Sequence, residues 1–153
     1  MVNMNELGPA SWYNFHTLAE KAKPEHFNKL KKDILNNFVA MCNNLPCPEC
    51  RGHAVEKIKS IDFKKIKNQS DLKLFFLGFH NGVNLMNNKP LFSEDELNEK
   101  YSKANLLAIH EYFMTLWKIP TNNSKLMMDA FHKERFLTKY NKWFNDNKDK
   151  FYL

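Results

Sequence analysis

Glycine is scarce: four in 153 residues. None lies in a glycine-rich phosphate loop, so a dinucleotide could not be held by a Rossmann turn. The turn signals of a β-sandwich are missing too. No stretch reads as a strand, and there is no internal repeat. The absent β-α-β pattern argues against a thioredoxin-like fold. No segment approaches the ~20 apolar residues of a membrane span, so no membrane partner is expected. The first residues, Met1 to Leu7, carry neither a basic region nor an apolar run, so no signal peptide is expected. These features predict a soluble protein of the reducing cytoplasm. There, three cysteines cannot serve as a structural disulfide framework.

What is plentiful is phenylalanine, with 13 copies, within a composition that is 43% hydrophobic and 14% aromatic. One domain of helices packed by bulky side chains fits this balance. The formal charge is +6, but the lysines are interleaved with acids. A solvated surface is the reading, and nucleic acid is not an expected partner. The many asparagines read as a coding bias.

Gly8-Pro9 reads as a helix entry, with a helix over 9–22 carrying Trp12, Phe15, His16 and Ala19. A second amphipathic helix, from about 25 to 44, carries Phe27, Leu30, Ile34, Phe38, Met41 and Cys42. Leu45-Pro46 ends it, since the residue before a proline is pushed out of the α region. Cys47 then falls at an N-cap, with Pro48 at the first position of a third helix that runs to about Ser60. A lysine-rich link follows, with Phe63 and Ile66 turned inward. Ser70 or Asp71 caps a fourth helix over 72–87. Its core face is Leu72, Phe76, Phe79, Val83 and Met86, and beside it runs a polar stripe of His80, Asn81, Asn84 and Asn88. Ser93 to Glu96 forms a capping box for a fifth helix expected to continue through Tyr101, Leu106, Ile109, Phe113 and Trp117 to Pro120. Residues 121–124 read as a turn and cap for a last helix with Phe131, Phe136, Tyr140, Trp143 and Phe144.

Cys47-x-x-Cys50 at a helix start has a definite use, because the positive end of the helix dipole favours thiolate, the form active in disulfide exchange. The competing chemistry is a zinc site from Cys47, Cys50 and His53, with His80 as a fourth ligand, in a non-catalytic interaction module. Inert packing is the third reading. Cys42, on an apolar stripe, reads as a buried free thiol, with a resolving role as the alternative. His80 or His16 alone would be an ordinary core histidine. Together with Trp12 and Asn84 they offer flat rings and amide donors suited to a large planar heterocycle.

In order along the chain stand Trp12-x-x-x-His16-Thr17-Leu18-Ala19, Leu45-Pro46-Cys47-Pro48-Glu49-Cys50, His80-Asn81-Gly82-Val83-Asn84, Lys89-Pro90-x-Phe92, and Tyr101. This set resembles the Erv/ALR-type FAD-linked sulfhydryl oxidases, most of all the versions of large cytoplasmic DNA viruses. The resemblance implies an all-α fold, a four-helix bundle with a short fifth helix over 1–101. Residues 102–153 have no counterpart in the family core, and their aromatic spacing reads as a helical C-terminal extension, packed on the same domain or forming an interface. The resemblance further implies FAD at the bundle mouth and a homodimer. The activity implied is oxidation of a dithiol protein substrate, or of a small thiol-shuttle protein, with molecular oxygen as acceptor and hydrogen peroxide as product. It places Cys47 at the exchange position and Cys50 beside the flavin. Cofactor contacts are implied for Gly8, Trp12, His16, Cys50, His80, Asn81, Val83, Asn84, Asn88, Lys89 and Tyr101. A viral origin would add a host-cytoplasmic location and packaging in a virion. Two positions depart from the family pattern, with Phe75 and Tyr101 where tryptophan is usual, and no second cysteine pair is present to act as a shuttle.

Overall fold

The structure is a computed structural model that describes residues 2–120 and 127–153. Among these it contains seven α-helices and no strand beyond an isolated antiparallel bridge between Ala22 and Phe151. The expected turn at 121–124 lies outside the described residues.

Helix α1, Met4–Lys21, starts earlier than Gly8-Pro9 suggested. Asn3 is its N-cap, accepting from the Asn5 and Glu6 N–H groups, and Glu6 reaches back to the Asn3 N–H. This reciprocal cap outweighs the signal of Pro9, which lies inside the helix and forgoes one backbone bond near the start. After a short 3-10 turn at Pro24–His26 comes α2, Phe27–Asn43, and then α3, Pro48–Lys59. Helix α4 spans Gln69–Met86. Its cap is Asn68, not Ser70 or Asp71, because the Asn68 side chain accepts from the Asp71 N–H at 2.8 Å.

The long fifth helix is in fact two. Helix α5, Glu94–Ser102, stops at Lys103, and Asn105 caps a separate α6, Leu106–Trp117, by accepting from the Ala108 N–H at 3.0 Å. Unbroken apolar spacing had hidden the local competition that an asparagine offers the helix backbone. Helix α7 covers Met127–Asn147.

Helix α1 packs on α6 and α4, and also touches α5 and α2. Leu7, Phe15 and Leu18 join Phe38, Phe76, Phe113, Trp117, Tyr140 and Phe144 in one buried cluster. Each such side chain contributes about 1.5–3 kcal/mol over leaving it in water. Helices α6 and α7 therefore complete the same core as the first hundred residues. Polar groups of α1 fix that docking: Trp117 Nε1 donates to Ser11 Oγ at 3.0 Å, and Asn14 Nδ2 donates to Tyr140 Oη at 2.6 Å. Trp143 Nε1 ties α7 to Asp33 of α2 at 3.0 Å. One apolar residue expected on the core face is exposed instead, Met86 at the end of α4, and Phe131, near the start of α7, is exposed as well.

Candidate functional site

At the junction of α2 and α3, buried Leu45 anchors the chain as α2 ends, and Cys47 becomes the N-cap of α3. Its sulfur accepts from the Cys50 N–H at 3.2 Å and is joined to Cys50 in a disulfide, the two Cα atoms lying 5.2 Å apart. Both cysteines are half-buried, Cys50 packing against the main core cluster. Once reduced, Cys47 sits where the helix dipole and the free N–H groups of the first turn favour thiolate. His53 points to solvent, and among the described residues no three His, Cys, Asp or Glu side chains gather as metal ligands. Cys42 is a buried free thiol whose pKa burial pushes up to about 12, so it stays protonated and apart from this chemistry.

Trp12 and His16 of α1, His80 of α4 and Tyr101 of α5 form a second cluster. The Trp12 and His80 rings stack with centroids 4.3 Å apart and planes 6° from parallel. His16 Nε2 lies 2.9 Å from His80 Nδ1, and the His16 ring is 4.9 Å from that of Tyr101. Burial, then the charge of His80, then that of Lys100 lower the His16 pKa to about 3. Burial, with Lys100 and Lys89, lowers that of His80 to about 4. Both rings are therefore neutral at pH 7, and one nitrogen of the close pair donates to the other. His16 Nδ1 is buried without a hydrogen-bond partner. Phe92, Leu97 and Lys100 close a narrow crevice over these rings.

The asparagines of α4 act on the adjoining loop. Asn81 Nδ2 donates to the Phe92 carbonyl, and Asn81 Oδ1 accepts from the Phe92 N–H, both at 2.9 Å. Asn84 Nδ2 donates to the Pro90 carbonyl at 3.2 Å, while its own carbonyl accepts from the Lys89 N–H at 2.8 Å. Asn88 takes the left-handed conformation, φ 55°, that lets the chain leave the helix and turn back. Lys89 is exposed, Val83 is half-buried beside the core, and Gly8 stands on α1 with open space where a side chain would begin.

A family model described as Erv1 / Alr family matches residues 9–102. The chain belongs to the Erv1/Alr family. The 096R protein of Invertebrate iridescent virus 3 is 31% identical over 96 residues, covering 61% of this chain and 64% of that one. The 347L protein of Invertebrate iridescent virus 6 is 31% identical over 101 residues, covering 61% of this chain and 90% of its own length. A protein of African swine fever virus named FAD-linked sulfhydryl oxidase is 29% identical over 112 residues, covering 73% of this chain and 92% of that one. The alignment thus spans just under two thirds of the first relative and nine tenths of the others. No solved structure matches the chain significantly.

The segment matched by the Erv1/Alr model holds the disulfide, the ring cluster and the asparagines, leaving Gly8 just outside it and α6 and α7 beyond its end. Helix α7 still reaches the dithiol region, where Asp129 pairs with Arg51, next to Cys50, at 3.4 Å. Sequence reading overlooked Lys100 and Lys57. Lys100 Nζ lies 4.6 Å from the Tyr13 ring centroid and 5.5 Å from that of Phe92. It comes next to Tyr101 in the chain, but nothing local tells which rings a lysine will cover.

Proposed function

We propose that this Erv1/Alr chain is a FAD-linked sulfhydryl oxidase that forms disulfides in thiol-bearing proteins. The observation that carries the reading is the Cys47–Cys50 disulfide, its first sulfur capping a helix, within a segment that matches the family model.

The residues present suit the cofactor. His16 Nδ1 is a buried polar atom lacking a partner, next to parallel aromatic rings and two neutral imidazoles, with Lys89 and Lys100 as nearby cations for phosphates. On this reading Trp12, His16, His80 and Tyr101 hold the ring systems, Lys89 and Asn88 the phosphate side, and Gly8 and Val83 line the site. Asn81 and Asn84 act as positioning residues through the loop they fasten, and Cys50 adjoins the flavin ring. FAD, when bound, supplies the two-electron acceptor that returns the cysteines to the disulfide and passes the pair to oxygen, giving peroxide.

The protein's own steps balance without further reactants. A substrate thiolate attacks Cys47 Sγ; the Cys47–Cys50 bond breaks, a mixed disulfide forms, and Cys50 leaves as thiolate. A second substrate thiolate attacks the substrate sulfur of that mixed disulfide and releases Cys47. The substrate has lost two electrons, and the Cys47/Cys50 pair holds them as a dithiol. Cap geometry stabilises Cys47 as a leaving thiolate in the second exchange. The Arg51–Asp129 contact brings α7 to this end of the bundle, so part of the substrate-facing surface belongs to the C-terminal extension.

The test is direct. Purified protein should be yellow, release FAD on denaturation, and consume oxygen with a dithiol substrate. Colourless protein that takes up no FAD, or oxygen consumption that survives Cys47→Ser, would overturn the reading.

A further inference from the structure

Cys50, Ala54 and Lys57 follow one another at four- and three-residue spacing, so they share one face of α3, about 10 Å from end to end. Helix α3 packs on α2, and from the Cys50 face the Lys57 side chain crosses to α4. Its Nζ donates to the Phe79 carbonyl at 3.4 Å and sits 4.8 Å from the Phe79 ring centroid. It also abuts Gly82, so closely that a Cβ at that position would overlap the ammonium. Gly82 is thus the residue of α4 that makes room for the charge.

That ammonium is short of partners. One of its three donors is used, on a long bond to a helix carbonyl already engaged by its own helix. Among the described residues no carboxylate pairs with it; the ion pairs there involve Arg51, Lys59, Lys73, Lys103 and Lys142. Partial burial lowers its pKa, as expected of a cation without counter-charge. A half-buried cation on the face of the redox cysteine, turned toward the helix that carries His80, is poised for an anion accommodated between α3 and α4.

We propose that Lys57 is the fixed positive charge that α3 presents to the bound flavin ring, and that it favours the cofactor's reduced, negatively charged form. The inference rests on the sulfhydryl oxidase reading above. Reduction puts negative charge on the ring beside Cys50, and a cation about 10 Å away at intermediate dielectric shifts such an equilibrium by about tenfold. The effect would draw electrons from the cysteine pair, the direction that oxidation of substrate requires.

The experiment uses the full chain loaded with FAD and compares Lys57→Met, Lys57→Gln and Lys57→Arg by anaerobic dye equilibration. In the Met and Gln variants the reduction constant of bound FAD should fall about tenfold, about 30 mV for a two-electron couple. The Arg variant should keep most of the wild-type value. Gly82→Ala should lower the constant in the same direction by expelling the ammonium, and should add nothing in the Lys57→Met background. Unchanged potentials in both neutral variants would overturn the proposal. So would salt-dependent loss of FAD affinity at unchanged potential, because Lys57 would then be meeting the phosphates. A wild-type chain that binds no FAD would refute the oxidase reading itself; a yellow wild type with indifferent Lys57 variants would refute this inference alone.

Discussion

His16 Nε2 and His80 Nδ1 stand 2.9 Å apart, and both imidazoles are neutral. Two imidazolium ions could not share that space, and burial had already disfavoured the charged forms. The pair joins α1 to α4 across 64 residues of sequence while leaving His16 Nδ1 unpartnered.

Stability should therefore depend on pH in a particular window. In the unfolded chain each ring takes a proton near pH 6.5, whereas in the fold the pKa values are about 4 for His80 and about 3 for His16. Between these limits the unfolded state binds more protons. The contribution is complete above about pH 6.5 and drains away as pH falls toward 4. Urea midpoints should drop between about pH 7.5 and about pH 5, and His80→Gln should flatten the slope. A midpoint independent of pH over that range would contradict this account.

The proposed exchange order rests on Cys47 capping α3 and on Cys50 packing against the core. Offered the disulfide form of the substrate, Cys50→Ser should attack it with the Cys47 thiolate, the substrate's other sulfur leaving as thiolate, and hold the Cys47–substrate mixed disulfide, visible as added mass on non-reducing gels. Cys47→Ser should form little of it, and turnover should fall to background in both. Equal trapping by the two variants would mean that either sulfur meets substrate.

Asn81 fastens Phe92 through two hydrogen bonds of 2.9 Å. Asn81→Ala should cost about 1–2 kcal/mol and loosen the crevice that Phe92 and Lys100 close over the histidines. Thermal unfolding reports the first effect, and a several-fold weaker FAD dissociation constant the second. Unaltered FAD affinity would leave the loop without a role in binding.

Trp117 is fully buried and donates to Ser11. Trp117→Ala should cost about 3–5 kcal/mol, measured by urea unfolding, because it empties the centre of the α1–α6 contact. A loss under about 1 kcal/mol would mean that α6 is an adjunct to the fold.

Cys42 is 2% exposed and its thiol is held protonated. In oxidised native protein, a thiol reagent should react with it no faster than the protein opens. Denaturant should then reveal one thiol per chain. Rapid labelling of native protein would place Cys42 within reach of the redox chemistry.

Much of this was legible in one dimension because the signals were local. Proline after Leu45, cysteine at the cap and helical spacing through Cys42 set the end of α2, the start of α3 and the place of the dithiol within a turn. Trp12 and His16 share a helix face at four-residue spacing, as do His80 and Asn84, so the sequence also supplied the inventory of rings and amides. Where local signals competed, the reading went astray. The Asn3 and Asn68 caps and the Asn105 break each turn on which short side chain reaches a backbone N–H.

Which groups meet across the molecule was decided by packing. No spacing shows that Asn81 and Asn84 are engaged by the 90–92 backbone, that His16 touches His80, or that Lys57 crosses to Gly82. Those contacts join helices far apart in sequence, and their energies depend on burial and on who else is near. The C-terminal residues make the same point. Their aromatic periodicity foretold a helix, but only the burial of Trp117, Tyr140 and Phe144 against α1 made that helix part of the core.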